Sequence, residues 1–174
     1  MRIEQATSGD AAAIAAIYAH HVLHGTATFE TMPPGEAEMR VRLAKVLAAC
    51  WPWLVARGED GSVCGYAYAA QFRDRPAYRF ACENSIYIAA ERMGQGIGGT
   101  LLDALVGAAR ACGFRQMIAV IGGAEPASRA LHARRGFEEV GRIRSVGFKH
   151  GRWLDTLYMQ LPLVAPEAGA TRAD

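Results

Sequence analysis

Arg92-Met93-Gly94-Gln95-Gly96-Ile97-Gly98-Gly99 is the stretch that decides how this chain is built. Just upstream, Ser85-Ile86-Tyr87-Ile88 is short and rich in β-branched and aromatic residues, as a strand is. Downstream, Thr100-Leu101-Leu102-Asp103-Ala104-Leu105-Val106 carries the apolar spacing of a helix. The order is strand, glycine-dense turn, helix. Such a turn points several backbone N–H groups outward at the positive end of a helix dipole. That arrangement cradles a phosphate or pyrophosphate, so the turn predicts a phosphorylated cofactor.

Working outward, residues 2–6 read as a short strand. Thr7-Ser8-Gly9-Asp10 then offers capping oxygens to a helix with Ile14, Ile17, Tyr18 and Val22 on one face. Residues 24–35 read as a loop, and residues 36–49 as a second helix with Met39, Leu43, Val46 and Leu47 as its apolar stripe. Residues 53–56 and 63–70 form a hairpin around Gly58-Glu59-Asp60-Gly61. A polar, Arg-rich loop over 72–78 precedes the strand 80–88 that enters the glycine turn. The helix after the turn buries Leu101, Leu102, Leu105 and Ala109 and closes at Gly113. Residues 116–121 are a buried strand, 126–135 a short helix closed by Gly136, and 138–146 and 153–161 the last two strands. The pattern predicts one α/β (α+β) domain over residues 1–162 with a mixed sheet, and a flexible tail over 163–174.

Composition narrows the function classes. At 174 residues the chain can bury one sizeable core. A net charge of +2, with Lys and Arg scattered, gives no strong field for nucleic acid or a membrane surface. No apolar run has membrane-spanning length, Met1-Arg2-Ile3-Glu4 lacks a signal-peptide pattern, and a cytoplasmic location is expected. Cys50, Cys64, Cys82 and Cys112 are far apart and in apolar or helical contexts, so they are expected as reduced core residues. His20, His21 and His24 have no ligand spacing and read as helix-face or loop residues, so no metal is expected.

Spacing sorts the phosphate-binding turns. A P-loop requires Gly-x-x-x-x-Gly-Lys-Ser/Thr, and no lysine lies near this turn. A dinucleotide fold requires G-x-G-x-x-G early in a βαβ unit; Gly94-x-Gly96-x-Gly98 has other spacing and sits mid-chain. The turn resembles instead the acetyl-CoA loop of the GCN5-related N-acetyltransferases (GNAT), Gln/Arg-x-x-Gly-x-Gly/Ala, with Gly96 and Gly98 in the small positions and Met93 in place of Gln/Arg. Within that family the chain resembles the phosphinothricin and methionine sulfone or sulfoximine acetyltransferases. The residues that carry this are Ala27-Thr28-Phe29, Gly65-Tyr66-Ala67, residues 72–78, Glu83-Asn84-Ser85-Ile86-Tyr87-Ile88 and residues 147–155.

The resemblance implies the GNAT fold, a mostly antiparallel twisted sheet flanked by about four helices. It also implies acetyl-CoA as co-substrate, an amino-acid-like acceptor and a homodimer. The coenzyme would lie against Ile86, Tyr87, Ile88, Gly94, Gln95, Gly96, Ile97, Gly98 and Gly99, with Arg134 nearby. Glu125 stands where many relatives have a helix-capping Asn that touches the cofactor. Main-chain amides would carry most of the diphosphate contact, with Arg92 or Gln95 covering for Met93. Amide formation from a thioester needs a proton acceptor, an oxyanion donor and a proton for the thiolate. Glu83 is the expected acceptor, a main-chain N–H of residues 86–88 the oxyanion donor, and His132 the thiolate's partner or a part of the base. Arg73, Asp74, Arg75 and Pro76, with Glu83, Asn84, Ser85, Phe29 and Lys149, are expected around the acceptor, the arginine forks facing an acidic or tetrahedral terminus. Transfer to another amine on the same fold, and a non-catalytic acetyl-CoA-binding module, stay open as alternatives.

Overall fold

The computed structural model describes residues 1–164. Strands β1 (Arg2–Gln5), β2 (Trp53–Arg57), β3 (Val63–Gln71), β4 (Ala81–Ile88), β5 (Gln116–Gly122), β6 (Glu138–Lys149) and β7 (Arg152–Pro162) form one sheet in the order β1-β2-β3-β4-β5-β7-β6. Every neighbouring pair is antiparallel except β4 with β5. Helices α1 (Ala11–His24) and α2 (Glu36–Ala48) cover one face, and α3 (Ile97–Ala111) and α4 (Pro126–Ala133) the other. This is the expected mixed sheet between helical layers.

Each face has its own apolar core. Ile14, Tyr18 and Leu43 pack on Val55, Tyr66 and Tyr87. On the other side Leu101, Leu102 and Leu105, all fully buried, pack on Cys82, Met117 and Met159. Burying one such leucine contributes roughly 1.5–3 kcal/mol, so the α3 stripe alone holds that helix, and the turn before it, firmly to the sheet. At the start of α1, the Thr7 N–H and hydroxyl donate to Asp10 Oδ2 at 2.9 and 3.0 Å. Arg57 at the end of β2 pairs with the same carboxylate at 2.8 Å, which ties the first helix to the sheet.

Several boundaries and burials differ from the sequence reading. β6 runs to Lys149 rather than stopping at 146, because pairing with β7 continues to the His150-Gly151 turn. α4 ends at Ala133, and residues 134–136 form a turn closed by Gly136 at φ +81°. Cys64 and Cys82 are buried, but Cys50 and Cys112 are exposed. Both exposed cysteines lie just past the last turn of a helix, beyond its buried stripe. The Cys112 thiol donates to the Cys50 carbonyl at 3.2 Å. The core reaches past the expected domain end, since Leu163 is buried and its N–H donates to Arg115 O at 2.8 Å. The rest of the expected tail, 165–174, lies outside the described residues. Among the described residues no helix is long and apolar enough to cross a membrane.

Candidate active site

The site begins as a gap in the sheet. β4 and β5 pair only from Ala81↔Gln116 to Asn84↔Ala119. Beyond that point β4 stays paired to β3 as far as Ile88, and β5 to β7 as far as Gly122. The outer edges are held, so only the inner edges part. The Ala89 N–H donates to Cys64 O on the β3 side. By alternation, the main-chain groups of Ile86 and Ile88 therefore face the gap. A cleft of about 810 Å³ opens there, reaching from Asn84 and Val120 to the glycine turn and α4. Its unpaired strand edges suit a ligand that carries amide groups and can pair as an extra strand.

At the far end of the cleft, Gly94 and Gly96 have φ of +75° and +81°, which an L side chain rarely adopts. Gly96 is the N-cap of α3 and has no side-chain cap. Among the described residues the N–H groups of Gly94, Gln95, Gly96, Ile97 and Gly98 have no backbone acceptor, while those of Gly99 and Thr100 donate back to Gly96 O at 3.0 and 3.3 Å. These donors converge at a positive helix end and fit a diphosphate. Met93 is half-exposed at the front of the turn. Gln95 donates its amide to Glu91 O at 3.2 Å, and Arg92 lies 3.9 Å from Asp60, so the main chain carries the cradle. Behind it, Arg135 pairs with Asp103 at 2.8 Å and donates to Gly99 O at 3.1 Å, fastening the end of α4 to α3. Gly98 packs against Leu131 of α4.

Alternation along β4 divides the candidate groups between the two faces of the sheet. Tyr87 belongs to the α1/α2 core, while Cys82, Ile86 and Ile88 belong to the α3 core. Glu83 and Ser85 therefore face the α1/α2 side, and Asn84 the α3/α4 side. Burial raises the Glu83 pKa above its ordinary value, and the charge of Arg73 pulls the other way. That is the environment of a carboxylate ready to take a proton. His132 is 4% exposed and lies between Ser128 O and the Asn84 amide, 2.8 Å from each. Burial lowers its pKa, so the ring is neutral near neutral pH.

Other expected site residues fall elsewhere. Arg73, Asp74, Arg75 and Pro76 lie in the exposed segment after β3, with Arg73 stacked 4.1 Å from the Phe72 ring centroid. Of these, Arg73 is the one whose charge reaches Glu83. Phe29 packs on the backbone of Gly147, where an added Cβ would lie 2.5 Å from its ring, and does not line the cleft. Lys149, expected at an open mouth, is instead 4% exposed and donates to Thr28 O at 2.8 Å. The reason is the 25–31 loop, which Tyr18, Glu30 and Arg42 pin down: the Tyr18 hydroxyl donates to Glu30 at 2.9 Å, and Arg42 pairs with Glu30 at 2.7 Å. Glu125 is the N-cap of α4 without a side-chain cap bond, and both it and Arg134 line the cleft.

His21, expected as a helix-face or loop residue, lines the cleft, with Nε2 2.8 Å from Ile88 O. It supplies the donor that this gap-facing carbonyl lost when the strands parted. No spacing signal in the sequence marks it. Among the described residues no group of three or more His, Cys, Asp or Glu could hold a metal ion.

Comparison with known proteins agrees with this geometry. The profile of the acetyltransferase (GNAT) domain matches residues 3–158. A phosphinothricin N-acetyltransferase of Alcaligenes faecalis is 54% identical over 157 residues, 90% of this chain and 79% of the relative. An L-methionine sulfoximine/L-methionine sulfone acetyltransferase of Pseudomonas aeruginosa is 38% identical over 92% of this chain and 94% of its own. The crystal structure of a phosphinothricin acetyltransferase from Sinorhizobium meliloti in complex with acetyl-CoA superposes with a TM-score of 0.93 at 51% identity, covering 99% of this chain and 92% of that one.

Proposed function

The chain belongs to the GNAT acetyltransferase family and is an acetyl-CoA-dependent N-acetyltransferase; from that premise we propose that it acetylates the α-amino group of a small amino-acid analogue of the phosphinothricin or methionine sulfone type. The observation that carries this reading is the half-buried Glu83, its pKa raised by that burial and opposed by the charge of Arg73, on the face of β4 opposite the coenzyme turn. An acceptor with a cationic amine and an anionic or tetrahedral terminus matches that pair of charges.

In this reading the coenzyme lies in the cleft and the acceptor meets its thioester past the edge of β4 from the Glu83 side, which supplies the proximity of a single ternary complex. Glu83 takes the proton that the ammonium must lose before its nitrogen can attack the thioester carbonyl carbon. The gap-facing N–H groups of Ile86 and Ile88 are the donors for the developing oxyanion. The C–N bond forms, the C–S bond breaks, and the sulfur leaves with the electron pair. Arg73 and Arg75 hold the acceptor's acidic end. Arg75→Ala should raise the KM for an acidic acceptor about tenfold, the worth of one charge-assisted hydrogen bond, with the KM for acetyl-CoA unchanged. Equal rises in both constants in a free-thiol assay would remove Arg75 from acceptor binding.

The names of the relatives and the exposed apolar side of the β6–β7 hairpin support this acceptor class and a homodimer. Val140, Ile143, Val146, Phe148 and Trp153 are between 46% and 65% exposed on two adjacent strands, β6 being the unpaired edge. A solvent-facing edge this apolar is stable when another chain covers it. Sedimentation should give twice the chain mass, and Trp153→Glu should give a monomer. A wild-type monomer at micromolar concentration would contradict the dimer.

A further inference from the structure

The bonding of His132 specifies its protonation state. Nδ1 lies 2.8 Å from Ser128 O, which can only accept, so Nδ1 carries the proton. In the neutral ring Nε2 is then a lone pair, and the Asn84 amide nitrogen donates to it at 2.8 Å. Turning the amide over would set its oxygen against that lone pair. The orientation has a visible consequence: Asn84 Oδ1 is left buried with no hydrogen-bond partner among the described residues. An unpaired buried carbonyl costs about 1–3 kcal/mol, so it is the imidazole that fixes which way the amide points.

Burial is the larger influence and opposes a second proton, while the Ser128 carbonyl bonded to Nδ1 favours one. On α4 itself the Ser128 hydroxyl lies 3.5 Å from Nδ1. From the turn after α4, Arg135 adds a like charge that acts with burial to hold the ring neutral. The Phe137 ring stands edge-on with its centroid 4.9 Å away. From β4 only the uncharged Asn84 faces it, and Glu83 lies on the opposite face of the sheet.

We propose that Asn84 is a positioning residue for acetyl transfer: its amide locks His132 as a neutral, Nδ1-protonated acceptor at the fork of β4 and β5. The inference rests on the acetyltransferase reading and deepens it. A ring locked in this way has no proton at Nε2 to give the leaving sulfur. The proton balance closes without it, because the proton that the amine loses to Glu83 is the one the thiolate regains, through water, to leave as free thiol. His132 ends the turnover as it began, and its task is to hold Asn84 and the end of the cleft in one arrangement.

The test is a long-range proton–nitrogen spectrum of the enzyme with labelled histidine, with and without coenzyme A. The wild type should show His132 protonated at Nδ1 alone at neutral pH and above, with coenzyme A bound or not. An imidazolium signal near neutral pH, or a proton at Nε2, overturns the lock. Asn84→Asp should place a carboxylate against Nε2 and raise the His132 titration midpoint by about 1–3 units. Asn84→Leu should leave the Nδ1 proton on Ser128 O but take the donor from Nε2, shifting the Nε2 resonance, and lower kcat about tenfold or more. Both variants should bind acetyl-CoA within about threefold of the wild type by calorimetry, a change below 1 kcal/mol. An Asn84→Leu enzyme with wild-type kcat and an unchanged ring spectrum refutes the proposal. A locked ring in a protein that releases no thiol on adding any amine refutes the acetyltransferase reading and, with it, the catalytic half of this one.

Discussion

Glu83→Gln should lower kcat/KM at least about 100-fold while leaving acetyl-CoA affinity unchanged, because a positioned general base contributes roughly 10²–10⁴-fold. The amide keeps the shape and hydrogen-bonding reach of the carboxylate but cannot hold the proton. Burial raises the Glu83 pKa, so the acid limb of the wild-type profile should lie above the ordinary glutamate value. Activity requires the ionised form and falls as pH drops through that raised value. Stability runs the other way. A carboxyl whose pKa is higher folded than unfolded supports the fold fully at low pH, and that support is lost as pH rises through the folded value. At neutral pH the ionised, half-buried Glu83 therefore strains the fold, and Glu83→Gln should melt at a higher temperature than the wild type. Lower activity with a higher melting temperature is the signature of a group kept for chemistry. Unchanged turnover in a steady-state assay removes Glu83 as the base.

Gly96→Val should weaken acetyl-CoA binding about 100-fold, the loss of roughly two charge-assisted hydrogen bonds. Gly96 holds φ +81° at the start of α3, and a β-branched residue there costs of order 1–3 kcal/mol or swings to negative φ. Either way the N–H groups of the turn no longer converge. Gly107, further along α3, provides the control, since an added Cβ there meets nothing within 4 Å. Gly107→Ala should leave the dissociation constant as it was and raise the melting temperature slightly. Calorimetric titration of both variants with acetyl-CoA decides the point, and equal affinities would mean that the turn does not hold the coenzyme.

Much of this architecture is legible along the chain because it is local. The glycine turn, the period of the α3 stripe and the alternation in β4 are each written in consecutive residues, and each appears where its spacing puts it. The cleft is not local. It exists because β4–β5 pairing stops at Asn84 while both outer pairings continue, and no residue type announces where a parallel ladder ends. Lys149 is expected beside the acceptor, yet the 25–31 loop, more than a hundred residues earlier, folds over it. His21 and His132 acquire their meaning from partners 67 and 48 residues away. The arginines of the 72–78 segment were legible as residues but not as geometry, since their side chains lie outside the cleft and only the charge of Arg73 reaches Glu83.

The measurement that bears most directly on the central claim is the initial rate of free-thiol release from acetyl-CoA across a panel of amines, with the product identified by mass. Amino acids with a tetrahedral acidic or sulfone-type terminus, phosphinothricin and methionine sulfone among them, should react fastest and carry the acetyl group on the α-nitrogen. Thiol release that does not depend on the amine, or that is fastest with a polyamine or a peptide N-terminus, would contradict it.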